Sequence, residues 1–341
     1  MTDLSKHIDG FNNAASHSEV ALFLPTSEDS SNYMLNHLAD KLFTETTSIN
    51  LRVFLVEQSK DPRIDSNTDL MSKSFIHGKI LKDFVFPFQL SQTKQEIKEP
   101  KLLCPELLKE KYPERLSYTH IKDVNDPDFI NEYIKNNPSL KMGFSVRNLQ
   151  IFKDEIIDAF TEKGDATFLN SHPAILPGIR GLEGPFWTRV LGMDYYTTSL
   201  HLIIKELDAG AIIDYSSKSV NGDSEKPIAQ YTRDAAPELA DMIYKQIHLR
   251  LIRNGSPPGL KLQEGEVGYY TLPTAENIST AKQNGITLTD AKEQLKWLSK
   301  NFTTSAKDEK KLHKLLTQEY SKFLTDLNHP KEDMNFNSPE V

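Results

Sequence analysis

The 341-residue chain contains a single cysteine, Cys104. One thiol closes no internal disulfide and supplies no thiolate zinc cluster, so a reducing cytoplasm is the expected compartment. Long hydrophobic runs are missing as well. Val20-Ala21-Leu22-Phe23-Leu24 and His201-Leu202-Ile203-Ile204 are strand-sized, far below the roughly 20 residues that span a bilayer. The polar amino terminus lacks the apolar core of a secretory signal, and no membrane partner is expected. Positive charge is in deficit, 40 Lys and Arg against 48 Asp and Glu, which argues against a broad electrostatic footprint for nucleic acid. With 38% hydrophobic and 26% charged residues, the composition is that of a globular protein, and small-molecule chemistry is the default expectation.

Residues 1–18 are polar and aperiodic and read as a disordered lead-in. The run at 20–24 then predicts a strand buried on both faces, as in a parallel sheet. Behind it, Ser30 or Ser31 is placed to cap a helix carrying Met34, Leu35, Leu38, Leu42 and Phe43, and 51–56 predicts a second strand. Strand, helix, strand predicts a doubly wound, mostly parallel α/β sheet with ligands at its carboxyl edge. From 61 to 118 the periodicity weakens, and Phe84-Val85-Phe86-Pro87-Phe88 reads as a loop or edge segment, with a lid as the lesser alternative. Asp126 predicts a helix cap, 140–146 a strand, 154–160 a short helix and 166–170 another strand.

That last strand runs into Asn170 and His172, two apart and therefore on one side of an extended chain. Pro173, Pro177 and Gly178 end the strand and shape a loop. A strand over 198–204 brings His201, and Asp208 follows in Leu207-Asp208-Ala209-Gly210 before a strand at 211–213. Taken singly, these residues are a turn former, a satisfied polar histidine and a common turn. Together they allow an amide, an imidazole and a carboxylate to converge.

The pattern Asn-x-His-Pro-x-x-Leu-Pro-x-x-Arg-Gly over 170–181, then Leu-His at 200–201 and Leu-Asp-x-Gly at 207–210, resembles the catalytic core of the folate-dependent formyltransferases. That family includes glycinamide ribonucleotide transformylase, methionyl-tRNA formyltransferase and the sugar-amine N-formyltransferases. Its aspartate falls 36 residues after the histidine, and Asp208 stands 36 after His172. The resemblance covers roughly 130–288, including Gly143-Phe144-Ser145-Val146-Arg147 and Tyr269-Tyr270-Thr271-Leu272-Pro273-Thr274. It implies an α/β formyltransferase fold, Rossmann-like, over 19–288, with 10-formyltetrahydrofolate as co-substrate and Asn170, His172 and Asp208 as the catalytic triad. No metal is required.

By the same resemblance the folate side is the loop with Arg147, Leu149 and Ile151 together with backbone near Leu207. The acceptor side is bordered by Arg180, Gly181 and Trp187, although core packing suits Trp187 better than stacking on substrate. His201 is expected to support the triad. In the purine-pathway relatives a Gly-Ser-Asn at the first helix start holds a phosphate; here Ser31 and Asn32 remain without the glycine, and Glu28 and Asp29 stand beside them. Two carboxylates repel a phosphate. The expected acceptor is therefore a small biosynthetic amine such as an amino-sugar nucleotide. Glycinamide ribonucleotide, water (a hydrolase) and a folate-binding scaffold without activity are the alternatives. Asp208 beside His172 is expected to raise the imidazole pKa and favour its charged form.

Residues 289–341 read as a helical appendage. Ser305 and Asp308 form a capping pattern, followed by an apolar stripe of Leu312, Leu315, Leu316, Tyr320, Phe323, Leu324 and Leu327. The stripe needs a cover, either the chain's own body or a second copy in a homodimer. The larger basic domain that methionyl-tRNA formyltransferases carry here has no counterpart, which disfavours a tRNA substrate.

Overall fold

The computed structural model describes residues 17–58, 62–65, 67–92, 99–164, 166–220, 226–253 and 260–328. Most of the expected lead-in lies outside them. Seven strands form one sheet: β1 (Ser18–Pro25), β2 (Ile49–Val56), β3 (Leu116–Ile121), β4 (Leu140–Val146), β5 (Thr167–His172), β7 (Tyr195–Leu202) and β8 (Ile212–Ser219). A short pair, β6 (Arg180–Gly181) with β9 (Tyr269–Tyr270), lies apart. The sheet order is β3-β2-β1-β4-β5-β7-β8. From β3 to β5 every neighbouring pair is parallel, and β7 and β8 are antiparallel additions. The order reverses between β1 and β4, so the crevice that a doubly wound sheet offers a ligand opens beyond the ends of those two strands.

Alternation along the strands divides the core. Val20, Leu22 and Leu24 of β1 and Met142, Phe144 and Val146 of β4 face α1 (Asp29–Glu45) and the helix Ala236–Ile247, through Met34, Leu38, Ala240 and Ile243. Ala21, Phe23, Phe54 and Phe168 face the other way, against Ile156 and Phe160 of the helix Asp154–Thr161. Both faces are covered, which is why these strands read as continuous apolar runs.

Three expectations about the elements need correction. Glu28, not Ser30 or Ser31, caps α1: its carboxylate accepts from the Ser31 amide at 2.6 Å, while both serines lie buried in the first turn. The segment around Phe84 and Phe88 is helical. It runs from Thr68–Ser74 through the wide turns Phe75–Lys79 and Leu81–Val85 into Phe86–Gln92. Pro87 follows directly on the wide turn Leu81–Val85, where the regular ladder of the helix is already interrupted. Finally, β3, paired with β2, begins inside the stretch read as irregular and runs past its end at 118. As an edge strand it carries a half-exposed pattern without a continuous apolar run.

The amphipathic helix Ala306–Asn328 packs on the chain's own body. Leu312 and Leu316 belong to the same buried cluster as the strands, and Phe323 stacks on Phe75 at 4.0 Å between ring centres. Its start carries the expected cap, with the Asp308 amide donating to Ser305 Oγ at 3.1 Å. Among the described residues no helix is long and apolar enough to cross a membrane.

Candidate active site

β5 sends Asn170 and His172 to the face occupied by Phe168, and it sends Leu169 and Ser171 to the α1 face. Antiparallel pairing with β7 sets His201 opposite Asn170. Directly opposed residues share a face, so His201 joins the pair, and Asn170 Nδ2 lies 3.1 Å from His201 Nε2. The other ring nitrogen of His201, Nδ1, lies 2.8 Å from the Leu202 carbonyl. A carbonyl only accepts, so Nδ1 carries the hydrogen and Nε2 is the acceptor for the Asn170 amide. Burial, opposed in part by Asp208, pushes the His201 pKa down to about 4. His201 is thus neutral and fixes which way the Asn170 amide points.

Asp208 completes the group from the turn after β7. Its carboxylate lies 3.6 Å from His172 Nδ1 and 3.7 Å from His201 Nε2, and its Oδ2 accepts from the Gly181 amide at 2.9 Å. The backbone of Asp208 is left-handed, with φ of 52°, a conformation that costs free energy in a residue with a side chain. Two glycines make the approach feasible. A Cβ on Gly181, whose φ is +94°, would stand 2.2 Å from the Tyr270 carbonyl oxygen, and one on Gly210 would stand 1.9 Å from that of Leu202. Gln263 seals the turn by donating to the carbonyls of Asp208 and Gly210, both at 2.8 Å.

The protonation expected for His172 is reversed. Burial, at 3% exposure, outweighs the attraction of Asp208 and lowers its pKa below the ordinary histidine value. Nε2 donates to the Ile179 carbonyl at 2.7 Å. The neutral ring therefore presents a lone pair at Nδ1, on the side of Asp208, where it can take up a proton.

The remaining residues singled out by sequence fall into two groups. Leu149, Ile151 and Leu207 are exposed, at 54%, 66% and 48%. The neighbours Phe152 and Ile203 pack together against the sheet face that carries Phe168. Phe152 and Ile203, not the three exposed residues, are the apolar side chains that pack on the face of Asn170 and His172. Arg180, by contrast, is 6% exposed and spans Glu206, Tyr269 and Gln263 at 3.0, 2.8 and 2.8 Å. Trp187 donates to the Thr271 carbonyl at 2.9 Å and packs on Tyr270 and Phe186. Asn32 is turned inward, to the Leu103 carbonyl at 3.3 Å, and Ser31 is 2% exposed.

On the α1 side, Arg147, expected with the folate loop, stands instead with Glu28 and Asp29 at the start of α1, and Lys73, His77, Glu183 and Gln294, which sequence reasoning missed, complete a charged and polar set. Arg147, at the end of β4, reaches Glu28 at 3.8 Å; Lys73 contacts both carboxylate oxygens of Glu183 at 2.6 Å. Beside them, Asp29 is buried against His77 Nδ1 at 2.8 Å and Gln294 Nε2 at 2.5 Å. Burial pushes the Asp29 pKa up, but His77 and then Arg233 outweigh it and hold the carboxyl below its usual range. A cavity of about 20 Å³ lies here, lined by Ser30, Arg147, Ser171, Tyr196, Thr198 and Thr232, with room for one water-sized group. No local sequence pattern announces such a set, because its members come from five separate segments.

No family model matches the chain. Solved structures resemble it in outline. A sugar N-formyltransferase from Shewanella has 14% identity and a TM-score of 0.45, covering 77% of this chain and 79% of that one. Glycinamide ribonucleotide transformylase 1 from Symbiobacterium toebii has 11% identity and a TM-score of 0.46, covering 74% and 95%. An N-formyltransferase from Helicobacter canadensis, solved with folinic acid and dTDP-3-aminofucose, has 13% identity and a TM-score of 0.42, covering 76% and 72%.

Proposed function

We propose that the chain is an N-formyltransferase that moves the formyl group of 10-formyltetrahydrofolate to the amine of a small acceptor, an amino-sugar nucleotide by first preference. The observation that carries this reading is the convergence of Asn170, His172 and Asp208 at the end of β5, with His201 locking the amide. The loop after β4 and the turn after β7 offer exposed apolar side chains, Leu149, Ile151 and Leu207, suited to a pterin, and the α1 side offers charged and hydroxyl groups suited to a polar acceptor.

In this reading the acceptor nitrogen attacks the formyl carbon, and Asn170 donates its free amide hydrogen to the oxygen as negative charge develops. His172 Nδ1, neutral and 3.6 Å from Asp208, takes the proton that the attacking amine sheds. Asp208 stabilises the resulting imidazolium. The proton then passes to N10 as the carbon–nitrogen bond breaks, leaving tetrahydrofolate and the formamide. Glu28 and Asp29 occupy the start of α1 and accept its first amides, which disfavours a phosphate there and with it glycinamide ribonucleotide.

The test is absorbance-monitored release of tetrahydrofolate by the protein alone and with a panel of amino-sugar nucleotides and glycinamide ribonucleotide. Release with one amino sugar supports the reading. Release in water alone identifies a hydrolase, and silence throughout, with folate bound, identifies a binding scaffold.

A further inference from the structure

Three residues other than glycine have left-handed backbones among the described residues: Arg147, Glu183 and Asp208, with φ of 57°, 53° and 52°. Such residues persist only where their surroundings over-determine them, and they concentrate at functional sites. Asp208 already has a role in the proposed reaction. The other two interact, since Arg147 is among the charges that hold the Glu183 carboxyl below its usual range despite burial.

Glu183 is the more telling. It stands at the N-cap of the helix Gly184–Val190, yet its side chain makes no capping hydrogen bond. The carboxylate turns away to Lys73, from the helix Thr68–Ser74, with both oxygens at 2.6 Å. Thus a strained backbone and a forgone cap are both tolerated at one residue, two positions after Gly181, whose amide holds Asp208. On the same side Arg147 and Glu28 stand at the ends of β4 and β1, where the strand order reverses. The signs alternate: Lys73, Glu183, Arg147, Glu28. Their side chains are 15%, 18%, 22% and 16% exposed, so none is sealed from solvent, and Arg147 lines the small cavity on this side.

We propose that Glu183 is the acceptor-positioning residue of the site, its carboxylate accepting a hydrogen bond from a sugar hydroxyl of an acceptor that places no phosphate against α1. Lys73 holds the carboxylate in place through both of its oxygens. Each carboxylate oxygen has a second lone pair beyond the one directed at Lys73, and this is the free acceptor. The inference rests on the formyltransferase reading and adds which residue aligns the amine.

The test is steady-state kinetics of Glu183→Gln and Glu183→Gly with the amino-sugar nucleotide that releases tetrahydrofolate in the wild type. Glycine relaxes the left-handed backbone and removes the carboxylate, and glutamine keeps the shape but not the charge. KM for the acceptor is expected to rise about tenfold or more in Glu183→Gly, the scale of a lost hydrogen bond to a charged group, and less in Glu183→Gln, whose amide oxygen still accepts, with KM for 10-formyltetrahydrofolate unchanged. A purely structural Glu183 predicts acceptor KM within twofold of wild type in the well-folded variant, and that result overturns the proposal. A wild type silent with every amino sugar overturns the underlying reading instead.

Discussion

Asn170 and His201 face each other across the β5–β7 pair, and the imidazole, neutral and fixed in one tautomer by the Leu202 carbonyl, accepts a hydrogen bond from the amide at 3.1 Å. The amide therefore enters any reaction already oriented. Preorganisation of this kind matters because a donor that must reorient as charge develops loses much of its advantage.

Asn170→Ala should lower kcat by about 100-fold, the typical effect of removing one oxyanion donor, with folate binding retained. His201→Ala should cost less, about tenfold, because Asn170 stays present but loses its anchor. His201→Gln, which can also accept from the amide, should recover part of the loss. Rapid-mixing single-turnover measurements separate these effects from acceptor binding.

Acid should destabilise the fold before its carboxylates titrate. In the folded state His201 has its pKa lowered to about 4 and His172 is lowered too, both first by burial. The unfolded chain, with histidines near 6.5, binds more protons between those values, so stability is full above that range and falls as pH drops through it. The His201 part alone is on the order of 3 kcal/mol. Urea titrations from pH 7 to pH 4.5 should show this slope, and His201→Gln should flatten it. An unchanged midpoint across that range would contradict neutral burial.

Much of this site was legible in the sequence. Asn170, His172 and Asp208 were singled out by the resemblance of their motif to the formyltransferases, and the strands buried on both faces, β1 and β4, by their apolar runs. Glu183 and Lys73 did not, because their pairing joins residues 110 apart and a left-handed φ leaves no mark on a glutamate. The charge state of His172 was misread for a different reason. A carboxylate expected beside the ring suggests a raised pKa, whereas the outcome depends on how deeply the fold buries the ring.

Leu316→Ala should destabilise the whole domain by about 3 kcal/mol, within the usual range for a buried leucine, because Leu316 is fully buried in the cluster that includes β1 and β4. Thermal unfolding should remain a single transition at lower temperature. A separate early transition would show that the helix Ala306–Asn328 melts independently of the sheet.

Gly181→Ala gives the sharpest test of how Asp208 is held. A Cβ there meets the Tyr270 carbonyl oxygen at 2.2 Å in a backbone conformation, φ of +94°, that side chains rarely adopt. Relief requires moving the strand pair β6–β9, and the Gly181 amide moves with it. That amide is one of the groups fixing the Asp208 carboxylate, at 2.9 Å. Loss of stability of about 1–3 kcal/mol is expected from the strain alone. The decisive comparison is activity per folded molecule, measured well below the melting temperature. If the amide positions Asp208, kcat falls at least tenfold while 5-formyltetrahydrofolate still binds in calorimetry. If Gly181 serves only the turn, the folded fraction keeps its full rate, and Asp208 must be held by the Gln263 contacts to its own backbone instead.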